Sequence, residues 1–178
     1  MAERTPGLWG YRTLFALLAG ALVFVQLLPL DMAPGQFPGP DVLMLLAFSW
    51  VVMRPDLLPV LLIAAVFFVA DILFMRPLGL WTLLVIVGSE FLRSRSHTLR
   101  DTPFLLEWML VAAVVSAVFV VNALVLLLFG VTQPGLGLTL IGLIATIMCY
   151  PLVVVLAGRT FGVRKITPGE VDRLGHRQ

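Results

Sequence analysis

Residues 57–95 read LLPVLLIAAVFFVADILFMRPLGLWTLLVIVGSEFLRSR, and this stretch decides the class of the protein. It holds two apolar runs, 57–75 and 78–92, that are separated only by Arg76 and Pro77. Apolar runs of this kind, joined by a short turn, are typical of helices that pass through a lipid bilayer. The stretch therefore predicts a hairpin of two membrane helices.

The rest of the chain repeats this pattern. The apolar runs are 13–30, 42–53, 57–75, 78–92, 104–129 and 136–157. Apolar residues make up 60% of the 178 residues and charged residues 12%, whereas soluble domains have about 45–50% and about 25%. Because a water-soluble domain of this size has too little interior for so much apolar surface, the composition predicts an all-α integral membrane protein.

The basic residues indicate an orientation. If all six runs cross the bilayer and the N-terminus is cytoplasmic, only Arg76 among the 12 basic residues falls in an outer loop. The inner segments hold Arg4, Arg12, Arg54, Arg93, Arg95, Arg100, Arg159, Arg164, Lys165, Arg173 and Arg177. Since positive charge collects on the cytoplasmic side, we predict six transmembrane helices over residues 13–157, with cytoplasmic termini at 1–12 and 158–178. Within the basic tail, Thr167-Pro168-Gly169-Glu170 has the pattern of a helix start, and a short helix and an irregular basic tail both remain open.

Two of the runs, 42–53 and 78–92, are shorter than the roughly 20 residues that a spanning helix needs. Their flanks lengthen them, or one of them is re-entrant and enclosed by protein. The tryptophans, which prefer the headgroup level, lie near proposed boundaries. They are Trp9, Trp50, Trp81 and Trp108.

Asp71 is the most informative polar residue in an apolar run. A carboxylate at this depth is expected to face another helix, a cavity or a partner such as Arg76. Two interpretations remain open: an acid in a transport or proton-relay path, and a hydrogen-bonding anchor, which a single isolated acid favours. The following Pro77 and Gly79 predict a tight connection, because proline starts helices well and glycine allows close backbone approach.

Other polar residues suggest helix contacts rather than chemistry. Glu90 and Arg93 stand three apart and can pair on one helix face. We expect Arg54, Arg93 and Arg95 to anchor the inner face. Asn122 is expected to bond across a helix interface. Pro151 is expected to kink the last helix, since it lacks a backbone donor.

The patterns of several function classes are missing from the sequence. It has no phosphate-binding glycine loop, no paired-histidine metal motif and no GxSxG elbow. The single cysteine, Cys149, suits packing, and His97 and His176 have no ligand spacing around them. We therefore predict neither an enzyme nor a metal or cofactor site. Without a basic patch that interleaves with aromatics, nucleic acid is not an expected partner, whereas the basic inner face suits membrane lipids.

Several short motifs, taken in order, carry a family resemblance. They are Pro40-Asp41-Val42-Leu43, Arg54-Pro55-Asp56, Asp71, Pro77-Leu78-Gly79, Leu92-Arg93-Ser94-Arg95 and Pro151. In this order and spacing, from about residue 13 to 174, the chain resembles the bacterial rod shape-determining protein MreD family.

The resemblance implies a non-enzymatic, multi-pass inner-membrane subunit of the cell-wall elongation machinery. It implies MreC, a bitopic membrane protein, as the direct partner. It also implies a RodA-type glycosyltransferase, a penicillin-binding transpeptidase and MreB in the same complex. The implied fold is similar to the substrate-binding subunits of energy-coupling-factor vitamin transporters.

An alternative function fits the same length and span count: the substrate-binding membrane subunit of a small-molecule (vitamin) uptake transporter. Such a subunit needs an outward pocket with convergent polar and aromatic groups. The outer segments offer few candidates for it. They are Asp31, Gln36, Asp41, Gln133 and Trp81.

Overall fold

The computed structural model describes residues 8–28, 39–100, 102–131 and 135–160, and the predicted helix start at residues 167–170 lies outside them. Over these ranges the chain is all-helical, with six helices and no strand. They are α1 (Leu8–Leu27), α2 (Val42–Met53), α3 (Val60–Leu73), α4 (Leu80–Arg100), α5 (Phe104–Leu128) and α6 (Leu136–Thr160). Three of them, α1, α5 and α6, are long and apolar enough to cross a bilayer, as in a membrane protein.

Several helix bounds follow local signals rather than the ends of the apolar runs. Helix α2 coincides with the run 42–53, but α4 continues past Leu92 to Arg100, because no glycine or proline interrupts it there. Helix α3 begins only after Pro59, whose extended backbone stands at the N-cap position. Helix α6 runs on through Pro151 to Thr160.

The short helix α2 forms the centre of the molecule. Its residues from Leu43 to Met53 are all buried, and it packs against α4, α6 and α1. A helix that is apolar on every side belongs in the interior, which explains why α2 shows no amphipathic face. Its ring contacts include Trp50 against Phe15 of α1, with centroids 5.5 Å apart. The minimum length of a membrane-spanning helix therefore applies less strictly to α2, because protein rather than lipid surrounds it.

Helix α2 also begins deep in the bundle. The backbone N–H of Asp41, its N-cap, donates to Thr146 Oγ1 over 3.0 Å. Thr146 lies in the third turn of α6, so α2 starts about 15 Å beyond the beginning of that helix. Helix α6 therefore extends past the start of α2 and borders an open space there.

Gly88 allows α2, α4 and α5 to pack closely at mid-bundle. A Cβ atom on Gly88 would lie 2.9 Å from Phe48 Cζ and 3.1 Å from Val114 Cγ1. Both neighbours are buried core side chains. The close approach of these helices therefore requires the absence of a side chain at this position.

Candidate functional site

The connection between α3 and α4 is fixed first by its backbone. Two residues after the end of α3, Met75 has a positive φ of 52°. The N–H of Arg76 donates to the Asp71 carbonyl over 3.1 Å, and that of Met75 to the Ile72 carbonyl over 3.3 Å. This pair of hydrogen bonds forms the Schellman motif, which usually places glycine in the left-handed position. At the end of α5, Gly130 fills the same position with φ 64°.

The Asp71 side chain then fixes the start of α4. Its Oδ2 accepts the N–H of Gly79 at 3.1 Å, and from Thr82 both the N–H at 3.2 Å and the hydroxyl at 2.7 Å. Because the first N–H groups of a helix have no partner within the helix, a carboxylate there satisfies them and faces the positive helix end. Asp71 is 1% exposed, and its Oδ1 has no hydrogen-bond partner in the described part of the chain. The arrangement is that of a hydrogen-bonding anchor.

Arg76 pairs with Asp41 rather than with Asp71, the partner suggested by sequence. Arg76 Nη1 lies 3.7 Å from Asp41 Oδ2. The guanidinium also lies 5.1 Å from the ring centroids of both Phe74 and Trp81. Asp41 Oδ1 meanwhile accepts the N–H of Met44 over 3.0 Å and caps α2. Arg76 therefore ties the connection between α3 and α4, where Pro77 follows it, to the first turn of α2.

These residues stand at the edge of a cavity of about 340 Å³. It lies above the start of α2, between α4, α5 and α6, and Asn122 is among its lining residues. Trp81, 8% exposed, also lines it, and its indole N–H has no hydrogen-bond partner among the described residues. Phe119 meets the Trp81 ring edge-on, with centroids 5.5 Å apart. The cavity thus combines charged, polar and aromatic side chains, although the sequence suggested only Asp41 and Trp81.

A second polar cluster lies at the opposite end of α2 and α4. Arg93 donates to the carbonyls of Pro55, over 3.2 Å, and Leu58, both in the connection between α2 and α3. Its Nε lies 2.9 Å from Glu90 Oε1. Arg54 follows α2 directly, and its N–H donates to the Trp50 carbonyl. Arg93 is therefore a clamp on this connection.

Arg95 differs from Arg93 in its surroundings. Its side chain is exposed and lies over the Phe91 ring at 5.8 Å. No hydrogen bond or ion pair of Arg95 is present among the described residues. It suits a contact with lipid or a partner more than a contact within the bundle.

A third polar contact joins α5 to α6. Tyr150 donates to Glu107 Oε1 over 2.8 Å, and both residues are 1% exposed. Trp108 Nε1 donates to the Ile147 carbonyl over 3.0 Å. The sequence analysis did not predict that Glu107 and Tyr150 are partners. A polar side chain in each of two apolar runs was the available signal.

Two apolar grooves lie between helices on the surface of the bundle. The α4–α5 groove, of about 370 Å³, includes Gly88, Ala113 and Ala117 in its lining. A second groove between α1 and α3, of about 420 Å³, includes Ala16, Gly20 and Ala65.

The predicted site residues fall into two groups. The structure brings Asp71, Arg76, Pro77, Gly79 and Asn122 to one end of the bundle. At the other end it brings together Arg54, Glu90 and Arg93.

No protein-family model, curated protein or solved structure matches this chain. Within the described ranges no group of three or more His, Cys, Asp or Glu residues is placed to hold a metal ion. What the arrangement supports chemically is hydrogen bonding, ion pairing and apolar packing.

Proposed function

We propose that the chain crosses the bacterial inner membrane six times, with both termini in the cytoplasm. The pairing of helix ends supports this membrane topology. Asp41 and Arg76 lie together at one end, and Pro55 and Arg93 lie together at the other. The Arg93 end carries the positive charge expected on the cytoplasmic side, and the Asp41 end carries Arg76.

With this membrane topology, the protein is a non-enzymatic scaffold of the cell-wall elongation machinery, as in the MreD family that its motifs resemble. The partner that it binds directly is MreC, through the single membrane helix of that protein. The complex also contains a RodA-type glycosyltransferase, a penicillin-binding transpeptidase and MreB. The motif residues Asp41, Asp71 and Arg93 support a scaffold, because each one bonds the backbone of its own or a neighbouring helix end.

The α4–α5 groove is the single observation that carries the scaffold proposal. Its lining on α5 extends from Leu110 to Val121, about 16 Å or three helical turns. Its lining side chains are all apolar, and Gly88, Ala113 and Ala117 are small. Within a bilayer, small residues let two helix backbones approach closely, and packing then drives their association. The groove therefore suits one apolar transmembrane helix.

Site-specific photocrosslinking in cells tests this proposal. A photoreactive residue at Val87 or Val121, both exposed residues of the groove, should capture tagged MreC. The matched control is Met148, which is exposed on α6 and does not line the groove. Capture of MreC from Met148 as readily as from the groove, or from neither, would refute docking in the groove.

The cavity at the Asp41 end specifically favours the alternative function, the substrate-binding subunit of a vitamin transporter. Its 340 Å³ lies near the lower limit of typical ligand pockets, about 300–1,000 Å³, so large vitamins are poor candidates. A thermal-shift screen of the purified protein against small vitamins separates the two functions. A shift of several degrees at micromolar ligand would support the transporter subunit.

A further inference from the structure

We propose that the cavity at the Asp41 end binds a small zwitterionic group, an anion and an ammonium held side by side. Four lining residues would recognise it: Arg76 and Trp81 for the anion, Asp41 for the ammonium, and Asn122 as a further hydrogen-bonding group. This binding is independent of the partner that occupies the α4–α5 groove.

Arg76 and Trp81 form the anion side. The rings of Phe74 and Trp81 hold the guanidinium, whose side chain remains 39% exposed. Its separation of 3.7 Å from Asp41 Oδ2 exceeds hydrogen-bond distance, so its planar fork can still receive a carboxylate or phosphate. Trp81 lines the cavity, and its N–H, which is buried and has no partner among the described residues, is the second donor that the proposal assigns to the anion. Both groups call for acceptor oxygens on the ligand.

Asp41 forms the ammonium side. Its Oδ1 is engaged by the N–H of Met44, whereas the nearest cation to Oδ2 is the loosely paired Arg76. The two side chains together carry no net charge. A simple anion would pair with Arg76 but face repulsion from Asp41, whereas a zwitterion matches both charges at once.

The rest of the cavity lining suits the apolar part of an amphipathic molecule. Leu80, Leu126 and Leu138 supply apolar walls beside Thr139. In the proposed membrane topology, the cavity opens near the outer face of the inner membrane. The same chemistry is present in a phosphatidylethanolamine headgroup and in free phosphoethanolamine, and the two sources differ in whether acyl chains are required.

Lipid binding to the purified full-length protein, measured by native mass spectrometry and thermal shift, tests the proposal. We expect phosphatidylethanolamine at saturation to raise the unfolding midpoint by about 5 °C, and phosphatidylglycerol at the same concentration to raise it much less. A shift with free phosphoethanolamine would identify a soluble ligand; a shift with the lipid alone would identify a membrane lipid. Equal shifts with both lipids would overturn recognition of a zwitterion.

Three conservative variants assign the recognition. Trp81→Phe keeps the ring but removes the N–H, and should weaken phosphatidylethanolamine binding about tenfold. Arg76→Gln should weaken binding of both lipids. Asp41→Asn keeps an N-cap residue and should abolish the preference over phosphatidylglycerol. Arg95→Gln, which removes another arginine held over an aromatic ring, is the matched control. If all three variants bind like this control, the cavity is not the site.

Discussion

Replacing Asp71 by alanine or by asparagine separates two roles of this carboxylate. Alanine leaves the N–H groups of Gly79 and Thr82 and the Thr82 hydroxyl without their acceptor. Each unsatisfied buried donor costs about 1–3 kcal/mol. Part of this loss is offset, because alanine also removes the buried Oδ1 that has no partner in the described ranges. We expect Asp71→Ala to lower the free energy of unfolding by about 3 kcal/mol.

Asparagine keeps an acceptor oxygen at the position of Oδ2, removes the negative charge and places an amide NH2 group at the position of Oδ1. The lost interaction with the positive end of α4 is worth about 0.3–1 kcal/mol, so Asp71→Asn should lower the free energy of unfolding by less than Asp71→Ala does. Equilibrium unfolding in mixed detergent–SDS micelles measures both variants. An equal loss of stability in the two variants would show that an uncharged acceptor oxygen does not replace the carboxylate, and would refute the capping explanation. Thr82→Val, which removes only the hydroxyl, serves as a control of intermediate effect.

The two remaining predictions concern the other polar contacts. Arg93→Gln should lower the free energy of unfolding by about 2 kcal/mol, because two carbonyls between α2 and α3 lose a charged donor. Arg95→Gln should change the free energy of unfolding by less than about 0.5 kcal/mol. Equal losses of stability in the two arginine variants in the same unfolding assay would contradict the role of Arg93 in fixing the connection between α2 and α3. Tyr150→Phe should cost about 2 kcal/mol by removing a buried donor from Glu107. A double-mutant cycle with Glu107→Gln should give a coupling energy above about 0.5 kcal/mol, and additive effects would count against a direct bond.

The parts of the site that could be predicted from the sequence are those whose residues lie close together in the chain. Glu90 and Arg93 are three residues apart on one helix, so their pairing follows from helix geometry. The hairpin at Pro77 and Gly79 follows similarly from backbone preferences, and Gly79 has a positive φ of 81°. Within such short stretches, the bonding partners of a residue are restricted to a few neighbours.

Contacts between distant segments could not be predicted in the same way. The bonds of Asp41 to Thr146 and of Tyr150 to Glu107 join residues 105 and 43 positions apart. Apolar runs of nearly uniform composition do not specify which faces of two helices meet, and α2 has no polar face to indicate its orientation. Only the packed structure, in which α2 is central and short, reveals why a cavity lies beside Asp41.

The short helices explain why charged and polar residues gather at the two ends of the bundle. Helices α2 and α3 have 12 and 14 residues, or lengths of about 18 and 21 Å, whereas a bilayer core is about 30 Å thick. Their ends would leave backbone groups unsatisfied inside the bilayer, which is costly. Asp41 caps the start of α2, and Arg93 binds two carbonyls between α2 and α3. The motif residues thus supply the hydrogen bonds that short helices need in a membrane, and Asp41 also lines the cavity that lies between the longer helices.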